Sequence, residues 1–230
     1  MFKEPRIKAD AGALYESLLL MRAFAEQQRE HIRDYSKNLE EYIEEEEIET
    51  IVAGRENNDE MVTSPARHIS GVFEHDFDLK AVFTEVMPIY QNQATLIALW
   101  SKFESGLCLV AESLAAEHKK KIRDKERGIS TVAHYLDEIE RLGLKHRDRR
   151  HFRAEYDFLS SVVGRIRNAW VHDGGRASKR SISQIVNKES DLVMRNDVIN
   201  VTDRFLARVI QSMLFFSKEI YLLSGRQRKG

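Results

Sequence analysis

Residues 159–175 read Leu-Ser-Ser-Val-Val-Gly-Arg-Ile-Arg-Asn-Ala-Trp-Val-His-Asp-Gly-Gly. Leu159, Val163, Ile166 and Trp170 recur at helical steps and so share one side of an α-helix. Arg165, Asn168 and His172 fall broadly opposite that apolar side, with Asn168 and His172 one turn apart. Arg167 sits on a flank, about 140° from His172 at about 100° per residue. The helix is expected over 151–172 and to stop at Gly174-Gly175, since glycine readily adopts the left-handed conformation that ends helices.

Outward from this segment, helical periodicity dominates. Leu14, Leu18, Met21, Ala25, Gln28, Ile32, Tyr35, Leu39 and Tyr42 follow steps of four and three, which predicts one long helix from near Asp10 to about Val52. On that reading the Glu44–Glu47 run is a solvated helix face. Residues 53–71, with Gly54, two consecutive Asn and Pro65, read as a connector. A second helical region is expected from about Asp78 to Arg123, as two helices or one bent helix, because Pro88 would kink its interior. A shorter helix over 129–142 starts near Ser130 or Thr131 and stops at Gly143. After a polar connector, Leu192–Met194 and Val198–Val201 flank Arg195-Asn-Asp197 and suggest a small hairpin. A last helix opens at Thr202 and Asp203. The fold expected is all-α, an antiparallel helical bundle over 71–225, with a helical arm over 1–70 and a basic tail over 226–230.

The chain has 36 Lys+Arg against 37 Asp+Glu, which excludes a uniformly basic nucleic-acid binder. The charge is nevertheless segregated: residues 40–60 hold ten acidic and one basic residue, and residues 141–180 hold eleven basic and four acidic. The second region offers a local field for phosphates. Within it, Lys145, Arg147, Arg149, Arg150 and Arg153 are candidate phosphate contacts if they border the site. The single Cys108, in an apolar run, reads as a small buried hydrophobe. No secretory pattern and no long apolar run is present, so a soluble cytoplasmic protein with no membrane partner is expected. A metal site has weak support: His68, His75, Asp76 and Asp78 have irregular spacing, and neither a Gly-rich phosphate loop nor a Cys ligand cluster occurs.

The residue types at 165–172 suit cleavage of a phosphodiester by its own neighbouring 2′-hydroxyl. Histidine exchanges protons near neutrality, and arginine offers permanent planar donors to phosphate oxygens. The attacking oxygen belongs to the RNA, so no cofactor, metal or protein nucleophile is required. One His cannot comfortably make both proton transfers, and a homodimer would bring two copies together. The competing reading is structural, with His172 capping a helix C-terminus and the arginines solvated.

Arg167-Asn168-Ala-Trp-Val-His172 resembles the signature of HEPN domains (higher eukaryotic and prokaryotic nucleotide-binding): arginine, a polar residue, three variable residues, histidine. The resemblance spans about Phe77 to Leu223. It implies a helical domain, and in many members a metal-independent endoribonuclease of toxin, antiviral or RNA-processing systems whose paired domains form the cleft. Carried over, Arg167 would stabilise the scissile phosphate, His172 would handle a proton, and Asn168 would support them. Arg165 also fits a permitted spacing to His172. Glu104 resembles the acidic residue on an earlier helix and would then orient Arg167. RNA, a second copy and a regulatory or antitoxin protein are the partners implied. The alternative kept beside it is a non-catalytic binding or assembly module of the same fold.

Overall fold

The computed structural model describes residues 6–53, 59–145, 149–177 and 180–225. The all-α expectation is corrected: among the described residues, six helices are accompanied by two antiparallel sheets. The helices are α1 (Arg6–Lys37), α2 (Leu79–Glu117), α3 (Thr131–Arg141), α4 (149–173), α5 (Arg180–Lys188) and α6 (Asp203–Ser224). Strands β1 (Glu44–Ala53), β2 (Asp59–Ile69) and β3 (Val72–Phe73) form one sheet, and β4 (Leu192–Arg195) with β5 (Val198–Val201) forms the other. The chain divides into two compact units, Met1–Ala25 with Asn92–Gly230, and Glu26–Gln91.

The smaller unit holds the main departure from the expected fold. Helix α1 ends at Lys37, not near Val52, and the acidic run enters strand β1. Glutamate favours helices, but Ile48, Thr50, Ile51 and Val52 are β-branched, and an antiparallel partner decides the outcome. Glu49 pairs with Thr63, Thr50 with Val62 and Ile51 with Met61. The expected connector is thus largely β2. Pro65 is tolerated there because β3 pairs only with His68 and Ile69, leaving β2 without that neighbour at Pro65. Leu39, Ile69, Leu79 and Phe83 form this unit's apolar centre, with Tyr35 and Tyr42 stacked at 4.0 Å between ring centroids. Arg67 joins the sheet to Glu40 at 2.8 Å and to Glu74 at 3.2 Å.

In the larger unit, α2 is the central helix. Leu96, Leu99, Trp100, Phe103, Leu107, Val110 and Leu114 are buried along it. By length and composition α2 would pass as a membrane span, yet 44% of its most apolar window is buried within the protein. It is one continuous helix, with a π-helical turn at Val82–Val86 just before Pro88 that absorbs the missing backbone donor. Ile7, Ala11, Leu14 and Leu18 of α1 belong to the same core, as do Phe205, Val209, Met213, Phe216 and Ile220 of α6. Cys108 is only partly buried, and its thiol donates to Glu112 Oε1 at 3.5 Å. Burial and the neighbouring carboxylates push that thiol up, with Tyr135 partly opposing them.

Side-chain caps fix the helix starts that position the site. Ser130 Oγ accepts from the Ala133 amide at 3.1 Å, and Thr202 Oγ1 accepts from the Phe205 amide at 3.2 Å. Asn92 Nδ2 donates to the Val201 carbonyl and to Asp203 Oδ1, both at 3.0 Å, which ties α2 to the junction of β5 and α6. The β4–β5 turn places Asn196 and Asp197 at φ 49° and 62°, as a two-residue hairpin turn requires.

Candidate active site

Helix α4 carries the candidate residues. Its first part, Arg149–Asp157, leads into a π-helical segment at Phe158–Val163 and then into Gly164–Asp173. Phe152, Phe158, Leu159, Val163, Ile166 and Ala169 are buried, so the polar side faces outward. Trp170 is only partly buried, and its ring lies over the glycine turn that ends the helix.

That turn is locally determined. Gly174 has φ 61° and Gly175 φ 76°, both left-handed. The Gly175 amide donates to the Ala169 carbonyl at 2.9 Å, closing the helix. The Gly175 carbonyl then accepts from the Ile199 amide at 2.9 Å, and Arg176 bridges to Val198. The hairpin therefore holds the end of α4 that bears His172. A Cβ on Gly175 would lie 2.3 Å from Trp170 Cζ2. Gly175→Ala is expected to destabilise the protein by about 3 kcal/mol, from left-handed strain and overpacking together. Thermal unfolding of the variant measures this, and an unchanged melting temperature would refute the locked-turn account.

Arg165, Asn168 and His172 line one open groove of about 400 Å³, together with Asp173 of α4 and Ser181 and Ile182 of α5. The expected common side is therefore found. His172 and Arg165 are exposed, and neither side chain has a hydrogen bond or ion pair among the described residues. Arg167 does not line this groove. Its Nη1 donates to Asn168 Oδ1 at 3.0 Å, while its Nε is buried without a partner among the described residues. Such an atom forfeits about 1–3 kcal/mol of desolvation, so its retention calls for an explanation.

Other expected members are not brought in. Glu104 forms no hydrogen bond or ion pair with Arg167 among the described residues, and lies instead near Cys108 and Tyr135. The Tyr135 phenol is pushed up to about 12, first by its hydrogen bond with Cys108, with Glu112 and Glu104 adding to the effect. The basic run stands at the opposite end of α4. From Arg153 to His172 the helix rise alone is about 28 Å, so Arg149, Arg150 and Arg153 do not border the groove, and Lys145 precedes the helix altogether. Arg153 is moreover paired with Asp157 at 3.2 Å and lies over the Tyr156 ring. Arg147 lies outside the described residues.

Residues missed by sequence reasoning include Ser181 and Ile182, since the polar connector hides α5. Its signal was Ile182, Ile185 and Val186, an apolar i, i+3, i+4 set whose Ile182 and Val186 are buried. Among the described residues no group of three or more His, Cys, Asp or Glu is gathered to hold a metal ion. His68 instead faces Glu46 at 3.6 Å, and His75 faces Asp76 at 3.4 Å. Comparison with family models, with curated proteins and with solved structures returns no match for the chain.

Proposed function

We propose that the chain is a metal-independent endoribonuclease that cleaves single-stranded RNA through attack by the neighbouring 2′-hydroxyl. The observation that carries this reading is the groove where Arg165, Asn168 and His172 meet, with the imidazole and the Arg165 guanidinium unengaged among the described residues. The resemblance of Arg167–His172 to the HEPN signature supports it independently. In the reaction the 2′-oxygen bonds to phosphorus, the bond from phosphorus to the 5′-oxygen breaks, and a 2′,3′-cyclic phosphate and a 5′-hydroxyl result. The 2′-hydroxyl proton must leave and the departing 5′-oxygen must gain one. His172 handles one of these transfers, and the same residue of a second copy handles the other.

Two arginines compete for the phosphate. Arg165 faces the groove directly. Arg167 is linked to it through Asn168, with its Nε buried and without a partner among the described residues. We assign the developing phosphate charge to Arg167 and substrate holding to Arg165. Arg167→Ala is expected to lower kcat about 100-fold, and Arg165→Ala chiefly to raise KM. Purified protein should cut RNA in EDTA with cyclic phosphate ends. Absence of cutting at high protein concentration would favour the binding-module alternative, and an Arg165 effect exceeding that of Arg167 would reverse the two assignments. A controlling partner protein accords with the same reading.

A further inference from the structure

A second groove, of about 480 Å³, meets the first at Arg165 and Asn168, which line both. Lys125, Ser130, Ser160 and Ser161 contribute its other polar side chains, and among the described residues no carboxylate lines it. Lys125 Nζ donates one proton to the Ile129 carbonyl at 3.0 Å and keeps two donors. The Ser130 oxygen is occupied as the cap of α3, but its own proton is free to donate. Neither the Ser160 nor the Ser161 hydroxyl has a hydrogen-bond partner among the described residues. Both serines lie on the π-helical segment of α4, a local widening that often marks functional sites.

Along α4 the groove residues form a single stripe. Ser161, Arg165, Asn168 and His172 fall at i, i+4, i+7 and i+11, covering about 16 Å of helix. This is longer than one phosphodiester needs, and its charge is positive at Arg165 and, across the groove, at Lys125.

We infer that this second groove is a phosphate-binding subsite for the nucleotide next to the cleaved bond, with Lys125, Arg165 and Ser161 as its donors. The inference rests on the ribonuclease reading for its place beside the chemistry, but not for the binding itself. The enzyme therefore cleaves a tetranucleotide with a higher kcat/KM than a dinucleotide. Lys125 and Ser161 hold the chain without touching the reacting atoms, so their loss raises KM and spares kcat.

The test uses the full chain and a 2′-fluoro oligonucleotide, which lacks the attacking hydroxyl, with binding read by fluorescence anisotropy across a salt series. Lys125→Gln is expected to weaken binding about fivefold near 0.1 M salt and to shallow the salt slope by about 0.7, as one lost phosphate contact on a single strand predicts. Ser161→Asp should weaken it further by repulsion. Arg149→Gln, an equal change in charge at the far end of α4, should leave binding unchanged. Equal weakening by Arg149→Gln and Lys125→Gln would overturn the subsite, because net charge alone would then explain both. So would a Lys125→Gln enzyme that keeps the full tetranucleotide advantage, even with RNA cleavage intact. Weakened binding by Lys125→Gln in a protein that never cuts RNA would support the subsite and remove the catalytic reading.

Discussion

His172→Ala is expected to lower the rate of RNA cleavage by about 10² to 10⁴, the contribution typical of one positioned acid or base, while leaving the melting temperature nearly unchanged. The combination is diagnostic because the side chain is exposed and makes no hydrogen bond or ion pair among the described residues. Its folding contribution is then confined to the helix-terminus dipole, about 0.3–1 kcal/mol when the ring is charged. The helix itself is ended by Gly174 and Gly175, whose backbone closes onto Ala169, so removing the imidazole leaves the cap in place. A purely structural histidine predicts the opposite pair of results, a lower melting temperature with undiminished cleavage. Equal cutting by His172→Ala and the parent would remove His172 from the chemistry. Partial recovery of the variant by added imidazole would identify proton transfer, not packing, as the missing function.

The parts legible in the sequence are those set by local rules. The end of α4 at two glycines, the starts of α3 near Ser130 or Thr131 and of α6 at Thr202 and Asp203, and the 192–201 hairpin all follow from short-range stereochemistry. So does the shared side of Arg165, Asn168 and His172, which needs only the turn angle of a helix. The first sheet was not legible in the same way. A run of four glutamates favours a helix by propensity, and only the paired partner 59–69 makes a strand of it. That partner contains Pro65 and follows Gly54 and two asparagines, so its pattern resembles a connector. The basic run misled for a different reason. Its charge is visible in composition, but its separation from His172 requires adding up the rise of one unbroken helix from 149 to 173. The second groove was hidden more deeply, because Lys125 and Ser161 are far apart in sequence and meet only where the segment after α2 folds across the π-helical turn of α4.

That segment is itself held by one buried carboxylate, and its loss is expected to cost stability about as heavily as the locked turn at Gly175. Glu138 of α3 has no exposed surface and lies between Arg123 and Arg141. Arg141 donates from Nε at 2.9 Å and from Nη2 at 2.5 Å, while Arg123 donates from its amide at 3.1 Å and from Nε at 2.5 Å. Arg141 also reaches the Lys121 carbonyl at 2.9 Å, so the cluster pins residues 121–123 to α3 just ahead of Lys125. Hydrogen bonding from Arg141 is the largest influence on the carboxyl, which is held at about 2 against an ordinary 4.5 despite the opposing effect of burial.

A carboxylate depressed in the folded state stabilises at pH above its unfolded value, and that stabilisation fades as pH falls from about 4.5 towards 2. The shift corresponds to roughly 3 kcal/mol. Glu138→Gln should therefore lower stability at pH 7 by about 3 kcal/mol and flatten the acid limb of the unfolding curve in this window. The mechanism is the loss of the charge-assisted hydrogen bonds that the carboxylate accepts, not the loss of volume. Replacing all three groups by apolar residues, Arg123→Met with Glu138→Leu and Arg141→Met, should then recover much of the stability, since a hydrophobic cluster carries no unpaired charge. Denaturant unfolding between pH 2 and 7 measures both variants. A Glu138→Gln protein with parental stability and an unchanged acid limb would show that the carboxylate is not what fastens the segment. Should the triple variant fold well yet bind the 2′-fluoro oligonucleotide like the parent, the segment's placement depends on packing, and Lys125 reaches its groove without help from the ion cluster.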